Sequence, residues 1–597
     1  MLYFELLNAG KRIVLPAKCP RIFMDVTKNT RSAVYVVNLA ALIAFAALLI
    51  WSLVYRSEMP RLFANVSYYL TFILVTVWAV HAVIFGKATG FSPTRLLKSY
   101  WLGILIAFGL TCVVFLSVKV GFKTLSDETN LVSVARSMLD DKTAYNTTTA
   151  KYYYGNIQPI NRDIPKRPLV FPFLVYIIHA VTGFRYQNAF ALNFIVLFLL
   201  LAGIFILTRK RLDFASALAA SLLVLSYPVV SVFATSAGFD LLSSAFFILV
   251  LAVVYGFIRN PSSAGFSFLI ACLLFFGNIR YESILFLAII PLMLLPKIKW
   301  QYVKDSSHLL CLVPLLNLPF IWERILQPKG QFESFQNVQL FSLSSLVVNL
   351  KSFVGNLLDF EYRLPYAGIV TIVSALIFLY LIVQIVRRKI SLQNYQRYFM
   401  LVLLVCVGVS TVMFFAHFFG RYTHPSSARF FITISLFFAF GPVALRILKP
   451  DMISARSLLL FAAVCFFFYH PIAVEGRFIN TLTLNRTTEQ CIRFLDETDD
   501  QNILVVSSRP GQYVAIGYGA IDFSYANKNK ANLLMELKRH LYSRMIVFQD
   551  IEYKTDLPTA DSVLDGEYKL NTLAEIQTTA TEFLRISEVK SADKPAQ

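Results

Sequence analysis

Long apolar runs, each near the ~20 residues that cross a bilayer as a helix, recur along the chain. Thirteen such runs predict thirteen transmembrane helices. They lie at roughly 33–54, 67–86, 99–120, 187–208, 214–233, 239–258, 264–277, 281–296, 308–326, 366–386, 398–418, 428–446 and 457–472. The first run ends LIWSLVYRS, without the small residues of a signal cleavage site. We therefore expect it to be a retained anchor.

Positive charge between the runs predicts the orientation of the chain. Lys and Arg fill the N-terminal segment and the short loops TRKRLD, PKIKWQYVK, VRRKISLQNYQR and RILKPDMISAR. Thirteen spans put all of these on one side, which the positive-inside rule makes cytoplasmic. A cytoplasmic N-terminus then leaves residues 121–186, residues 327–365 and everything after residue 473 outside.

Composition agrees with a membrane protein. Of 597 residues, 57% are hydrophobic and 54 are Phe, which a water-soluble domain could not bury. The net charge of +20 is spread over the predicted cytoplasmic loops, so we expect no nucleic-acid partner. Only Cys491 of the seven cysteines lies in a predicted outer region, and no CxxC spacing occurs. No cofactor is predicted, and a divalent metal stays possible although no ligand motif is present.

The region after the last run has a different pattern. NILVVSS and RMIVFQDI read as buried strands, and TTEQCIRFLDET and KANLLMELKRHL read as helices. The predicted fold is thus mainly α and polytopic, with a small extracytoplasmic α/β domain at the C-terminus. We expect three parts: residues 1–98 with two extra helices, a membrane body over 99–473 with the outer loop 121–186, and the α/β domain over 474–597. Packing or acceptor docking is the expected role of the last part.

Two adjacent carboxylates, Asp127 and Glu128, stand in SDETNLVSVARSML, directly after the third run. Ser126 as N-cap and the two acids in the first turn would simply stabilise a helix start. The apolar positions that follow predict an amphipathic helix on the outer membrane surface. Because neighbours on a helix point about 100° apart, we expect one acid to face a reaction centre and the other to cap or position.

A basic pair, Lys166 and Arg167, precedes a proline in PKRPLVFPFL, followed by an apolar stretch too short to cross the membrane securely. Such cations could hold a lipid phosphate, or could anchor the chain at headgroups. Three tyrosines of the same outer segment could stack on a sugar or form an interfacial aromatic belt. They are Tyr152, Tyr153 and Tyr154.

Further ionisable residues fall at the predicted outer ends of spans, where such groups are candidates for function. Asp240 opens one span. Arg280 and Glu282 lie between two short runs and could merely pair with each other. Arg421, His424 and Arg429 occur in RYTHPSSARFF, where His424 could be an ordinary loop residue. The predicted topology brings all of these to one leaflet.

These stretches resemble the GT-C glycosyltransferases of the protein O-mannosyltransferase and lipid A aminoarabinose transferase type. The resemblance runs through SDETNLVSVARSML, PKRPLVFPFL, TGFRYQNAFALNFI, GNIRYESILFL and RYTHPSSARFFITISLFFAFG, over roughly residues 99–446. It implies transfer of a sugar from a polyprenyl phosphate to a hydroxyl acceptor on the outer face, with inversion, in a bacterial inner membrane. The two spans before residue 99 fall outside it.

The resemblance also implies roles. It aligns the family's acidic pair with Asp127 and Glu128, and its phosphate-binding cation with Lys166 or Arg167. It aligns the family's Arg-Tyr with Arg421 and Tyr422, and the acid that opens a later span with Asp240. Some relatives carry a basic residue where this chain has Asn130, which removes one phosphate contact.

The chemistry of the residues leads to the same assignment. A positioned carboxylate, Asp127, would accept the proton of an acceptor hydroxyl. Cations would stabilise the charge that develops on a phosphate leaving group. These cations are Lys166, Arg167, Arg280 and Arg421, and the expected sugar or acceptor contacts are Tyr152, Tyr153, Tyr154, Glu282 and His424. The alternatives are a flippase for lipid-linked saccharides, a ligase with a lipid pyrophosphate donor, and an inactive scaffold.

Overall fold

Three long helices begin the described part of the protein. The computed structural model describes residues 22–153, 156–326, 339, 341–357, 367–418, 420, 425–475, 483–498, 500, 502–579 and 581–590. The first helices are α1 (Ile22–Val54), α2 (Met59–Ala88) and α3 (Pro93–Ser117). Ser92 caps α3 by accepting the main-chain N–H of Arg95 at 3.4 Å, and Pro93 occupies the first helical position.

The segment after α3 combines helices and a hairpin. It contains α4 (Leu125–Asp140), β1 (Asn146–Tyr153), β2 (Asn156–Asp163) and α5 (Val170–Thr182). The apolar face of α4 was expected on the membrane surface. Instead, Leu131, Val134 and Met138 are at most 2% exposed because α5 and a helix of the C-terminal region cover them. Protein, rather than lipid, therefore buries this face.

Helices form the membrane body that follows. In chain order they are α6 (Asn188–Arg209), α7 (Phe214–Leu225), α8 (Pro228–Ala234), α9 (Asp240–Arg259), α10 (Ser263–Gly277), α11 (Leu285–Leu294), α12 (Trp300–Asp305), α13 (Ser307–Leu316), α14 (Leu318–Leu326), α15 (Leu343–Leu357), α16 (Gly368–Val386), α17 (Asn394–Ala416), α18 (Ile432–Ala439), α19 (Gly441–Leu448) and α20 (Ala455–Glu475).

Within the described residues, ten helices are long and apolar enough to cross a membrane, and each overlaps a predicted run. They cover Val34–Val54, Arg56–Ala88, Pro93–Ser117, Asn188–Arg209, Asp240–Arg259, Ser307–Leu326, Gly368–Val386, Asn394–Ala416, Ser427–Leu448 and Ala455–Glu475. The expected mainly α, polytopic fold class is confirmed. By length and composition, fewer helices of the described residues qualify as spans than the thirteen that were predicted.

Short or broken helices account for the three other runs. Helices α7 and α8 meet at a 75° bend, where Pro228 follows an extended Tyr227. Helix α10 has 15 residues, and α11 has 10 with Pro291 inside it. A run of apolar residues does not reveal such breaks, since proline and tertiary packing decide where the helix stops.

The C-terminal region forms an α/β unit, as expected. Its elements are α21 (Thr483–Glu497), β3 (Ile503–Ser507), α22 (Pro510–Ile516), β4 (Gly519–Ile521), α23 (Phe523–Lys528), α24 (Lys530–Lys538), β5 (Arg544–Glu552), β6 (Leu570–Gln577) and β7 (Glu582–Val589). Strand β3 pairs in parallel with β4 and β5, and both of its faces are buried. Strands β5, β7 and β6 continue the sheet in antiparallel order.

The hairpin β1–β2 of the first outer segment also belongs to this sheet. Its order is β2-β1-β4-β3-β5-β7-β6, with Ala150 of β1 opposite Ala520 of β4. The Lys151 ammonium lies 2.8 Å from the Glu536 carboxylate across this junction. Residues 121–186 and the C-terminal region therefore lie on the same side of the membrane body. That this side is extracytoplasmic, and that the domain begins at residue 474, stay predictions.

Close contact between β1 and β4 predicts a requirement for glycine at Gly519. A Cβ atom there would lie 2.8 Å from the main-chain nitrogen of Tyr152, so Gly519→Ala must push the strands apart. We expect a loss of about 1–3 kcal/mol, seen as a lower thermal midpoint of the outer region. Gly566→Ala is the control, since its Cβ would meet nothing within 4 Å. Equal midpoints for the two variants would contradict the β1–β4 junction.

Candidate active site

Glu128 fixes the start of α4. The helix begins at Leu125 with Thr124 as N-cap, so the prediction that Ser126 is the N-cap is wrong. The Glu128 carboxylate accepts the main-chain N–H groups of Lys123 and Thr124 at 3.0 Å each, and the Thr124 hydroxyl at 2.9 Å. It also accepts the N–H of Ala237 at 3.2 Å, just before α9. Glu128 thus joins α4 to the start of a membrane span.

Burial shifts the pKa values of two groups at the start of α4. Desolvation raises the pKa of Glu128, which is 1% exposed, and the donated hydrogen bonds only partly oppose it. Burial likewise lowers the pKa of the Lys123 ammonium to about 8, against the opposing effect of Glu128. The two groups hold the backbone at the helix start.

Asp127, the neighbouring acid, points elsewhere and is held by two arginines. Arg167 Nη2 lies 2.6 Å from Asp127 Oδ1, and Arg429 Nη2 lies 2.5 Å from Asp127 Oδ2. Arg429 Nη1 also donates to the Thr124 hydroxyl at 3.1 Å. Desolvation of Asp127 acts to raise its pKa, but the two guanidinium groups outweigh it and hold the pKa well below its usual range.

The ion pair with Asp127 also stabilises the charged form of Arg167. Burial alone would lower the pKa of its guanidinium, and the Asp127 carboxylate raises it above its usual value. Both partners therefore stay ionised, and the carboxylate has one guanidinium on each oxygen. This geometry leaves Asp127 charged but strongly stabilised, which weakens it as a base until an arginine moves.

The contacts continue into a chain of alternating charges. Asp240, 1% exposed at the start of α9, lies 3.2 Å from Arg280 Nη1 and 3.9 Å from Arg429 Nη1. Arg280 Nε lies 3.3 Å from Glu282. We name this group the ionic cluster, which consists of Arg167, Asp127, Arg429, Asp240, Arg280 and Glu282. Its three cations and three anions come from five separate stretches of the chain and balance one another.

Arg167 is positioned by a second set of contacts. The Tyr281 hydroxyl contacts both the main-chain carbonyl of Lys166 and the carboxylate of Glu323, which is 1% exposed. The Arg324 guanidinium lies over the Tyr281 ring, 3.6 Å from its centroid. The turn that carries Arg167 is thereby attached to α14 and to the segment that carries Arg280.

A cavity of about 100 Å³ opens beside Arg280 and Glu282. Aromatic rings and the hydroxyl groups of Ser243, Ser283 and Thr433 line it, together with His417. Aromatic faces combined with convergent hydroxyl, carboxylate and guanidinium groups suit a polar, ring-shaped ligand.

The structure places the predicted site residues unequally. Asp127, Arg167, Asp240, Arg280 and Glu282 come together in the ionic cluster. Glu128 is adjacent to Asp127, but its carboxylate accepts hydrogen bonds from main-chain N–H groups. The main-chain carbonyl of Lys166 accepts a hydrogen bond from the Tyr281 hydroxyl. Tyr152 and Tyr153 belong to β1 of the sheet. Four predicted residues, Tyr154, Arg421, Tyr422 and His424, lie outside the described residues.

Three contributors were missing from the predicted site. Arg429 was noted as a charge near a span end but was given no role, and Tyr281 and Glu323 were not singled out. The signal for Arg429 and Glu323 was present in the sequence, because both are ionisable residues at the ends of apolar runs. Among the described residues, no group of three or more His, Cys, Asp or Glu could hold a metal ion.

Comparisons with known proteins return structural neighbours. No protein-family model matches the chain, and no curated protein matches it. The structure of ArnT from Cupriavidus metallidurans bound to undecaprenyl phosphate is 12% identical, with a TM-score of 0.47, over 85% of this chain and 100% of that one. The structure of the same protein in the apo state is also 12% identical, with a TM-score of 0.44, over 84% of this chain and 100% of that one.

The hydrogen bonds of Glu128 predict a structural cost for its substitution. Glu128→Gln would turn its amide N–H₂ toward the Lys123 and Ala237 N–H donors or, in the other orientation, toward the Thr124 N–H, at roughly 1–3 kcal/mol for each buried donor left unpaired. We expect a clearly lower thermal midpoint for the purified protein. Glu58→Gln, on an exposed turn, is the control and should leave it unchanged. An unchanged midpoint in Glu128→Gln would refute the anchoring role.

Proposed function

We propose that this protein is an integral membrane glycosyltransferase that moves a sugar from a polyprenyl-phosphate donor to a hydroxyl acceptor. The observation that carries the proposal is the Asp127 carboxylate between Arg167 and Arg429, at 2.6 and 2.5 Å. A potential base, Asp127, is there in direct contact with two guanidinium groups that could bind a phosphate. The reaction would take place on the side of the membrane body that holds residues 121–186 and the C-terminal region, which we propose to be extracytoplasmic.

The position of the ionic cluster suits a lipid phosphate. Asp240 begins the span Asp240–Arg259, and Arg429 lies in the first turn of the span Ser427–Leu448. Charged residues at such depth can meet a phosphate whose hydrocarbon tail stays in the bilayer. Guanidinium groups are well matched to phosphate because their planar fork donates two parallel hydrogen bonds.

In the proposed reaction, the acceptor oxygen attacks the anomeric carbon from the face opposite the phosphate. The new carbon–oxygen bond forms as the bond to the phosphate oxygen breaks, so the anomeric configuration inverts. The proton of the acceptor hydroxyl passes to Asp127. The leaving lipid phosphate keeps the bonding electron pair and gains one negative charge.

Charge is conserved within the site during this step. Asp127 loses a negative charge as the phosphate gains one, and Arg167 and Arg429 are placed to follow that charge. Donor binding would draw a guanidinium from Asp127 to the phosphate, which strengthens Asp127 as a base at the moment it is needed. The same donors then stabilise the leaving group in the transition state.

The remaining residues have supporting roles in the proposal. Asp240 pairs with both Arg280 and Arg429 and would hold them apart, with Arg280 as a further phosphate cation. Lys166 is adjacent to Arg167 and is a candidate for the same phosphate. Tyr281 and Glu323 are positioning residues for Arg167. Glu282 lines the neighbouring cavity and is the candidate contact for the sugar.

Substitution of Asp127 tests the proposal directly. Asp127→Asn should lower sugar transfer in membranes by about 10²–10⁴-fold, because the amide cannot accept the acceptor's proton. The control is Asp140→Asn, the same change at the far end of α4, where Asp140 faces Arg136 at 3.4 Å. Labelled polyprenyl monophosphate-sugar and pyrophosphate-glycan are supplied separately, and product is measured. Transfer retained in Asp127→Asn, or lipid translocation without product, would contradict the proposal.

The pH profile offers a second test. Because the pKa of Asp127 is lowered in the free protein, the group stays ionised as pH falls, and kcat/KM should show no acid limb from it between about pH 5 and 8. When the donor takes an arginine away, the pKa rises. The acid limb of kcat should therefore lie at higher pH than that of kcat/KM. Coincident limbs would exclude the arginine exchange.

A further inference from the structure

A large apolar cavity lies between α2, α6, α9 and α10, and its lining residues include no member of the ionic cluster. Its volume is about 500 Å³. Along α9 it extends from Leu242 to Asn260, which is about 27 Å at 1.5 Å per residue. This length is close to the ~30 Å hydrocarbon thickness of a bilayer. The cavity therefore runs through most of the membrane depth that α9 crosses.

Each of the four helices around the cavity contributes a glycine to its wall. They are Gly86, Gly203, Gly256 and Gly265. A Cβ atom at Gly203 or Gly256 would meet nothing within 4 Å, so open space faces both positions. Gly86, Gly256 and Gly265 lie within four residues of a helix end, on the side of the loop that follows α9. Three of the four glycines thus lie at the end of α9 opposite Asp240, and at Gly256 the wall faces open space.

The two ends of the cavity differ in polarity. Its polar side chains, Thr89, Asn260 and Ser262, gather at the end away from Asp240. The Asn260 Nδ2 atom is buried and has no hydrogen-bond partner among the described residues. Toward the other end, Trp78 and Phe246 line the cavity. Phe246 stacks on Phe275 at a centroid distance of 4.4 Å, and the tilted ring of Trp78 lies 4.9 Å from the same ring. A polar mouth and an aromatic end suit a ligand with a polar head and one hydrocarbon chain.

We propose that this cavity binds one acyl chain of a membrane phospholipid, with its polar head near Asn260. An engineered apolar cavity of about 150 Å³ already takes up benzene, and this one is more than three times larger. Leu199 lines the cavity and is 60% exposed, which leaves an opening toward the bilayer. A chain entering there satisfies the apolar wall with the hydrocarbon that surrounds the protein.

The polar end argues against the donor's polyprenyl tail as the occupant. In the proposed function the donor phosphate lies at Asp127 and Arg429, near the start of α9, whereas the cavity's polar groups follow its end. The phospholipid would instead attach α2 to the membrane body, because α2 forms one wall and α6, α9 and α10 form the others. The choice of a phospholipid over the polyprenyl tail rests on the proposed function, whereas the cavity and its polar end do not.

Filling the cavity tests the inference. The full-length protein is purified in mild detergent, and retained lipid is identified by native mass spectrometry. We expect wild type to keep one phospholipid, and Gly256→Leu and Gly203→Leu to lower its retention about tenfold because leucine occupies the chain's space. Leucine is also the better helix former, so the helices should persist.

The matched control is Gly109→Leu in α3. Gly109 is exposed, its Cβ would meet nothing within 4 Å, and it does not line the cavity, so this variant should retain the phospholipid. Equal retention in Gly256→Leu and Gly203→Leu would overturn the site, as would a wild type that holds no lipid. Loss of polyprenyl phosphate instead of phospholipid would overturn the assigned occupant. Asp127→Asn should lose transfer but keep the lipid, which separates this test from that of the proposed function.

Discussion

The double ion pair at Asp127 is the contact on which the site depends. A buried carboxylate is stable only when charges and hydrogen bonds compensate its lost hydration, and here one guanidinium faces each oxygen. Arg167 comes from the turn before α5 and Arg429 from the start of a late span, 302 residues after Asp127 in the chain. One carboxylate therefore joins the outer segment to the membrane body and places a potential base where a phosphate could bind.

Positive and negative side chains alternate along the ionic cluster, which explains how six ionised groups can lie close together. Asp240 is almost fully buried, yet it faces Arg280 at 3.2 Å, and Arg280 in turn faces Glu282 at 3.3 Å. Removing one member takes an ion pair from each of its neighbours, which is more damaging for a buried neighbour than replacing both members of the pair. The same balance makes the site responsive, since an incoming phosphate can take over a guanidinium without creating an unpaired charge.

The outer region supports the site from behind. Helix α4 lies between α5 and α22, and the hairpin β1–β2 extends the C-terminal sheet, with Lys151 and Glu536 paired at the junction. Glu128 fixes the first turn of the same helix through four hydrogen bonds. The base is thus carried by a helix whose start and apolar face are both held, which limits the motion of Asp127 relative to the arginines.

The amino-acid sequence by itself determined the features that depend on local pattern. Apolar runs predicted the spans, and the helical angle between neighbours predicted separate tasks for Asp127 and Glu128. The rule that ionisable residues at membrane depth are candidates for function selected Asp240 and Arg280, and the basic pair before a proline selected Arg167. Only the tertiary structure decided which partners they meet: Arg429 for Asp127, Tyr281 and Glu323 for the turn of Arg167, and β1 for the C-terminal sheet. The physical reason is that these contacts join residues tens to hundreds of positions apart, and periodicity carries no information about such pairs. Likewise, the 75° bend between α7 and α8 at Pro228 divides an apolar run that hydrophobicity alone would continue as one helix.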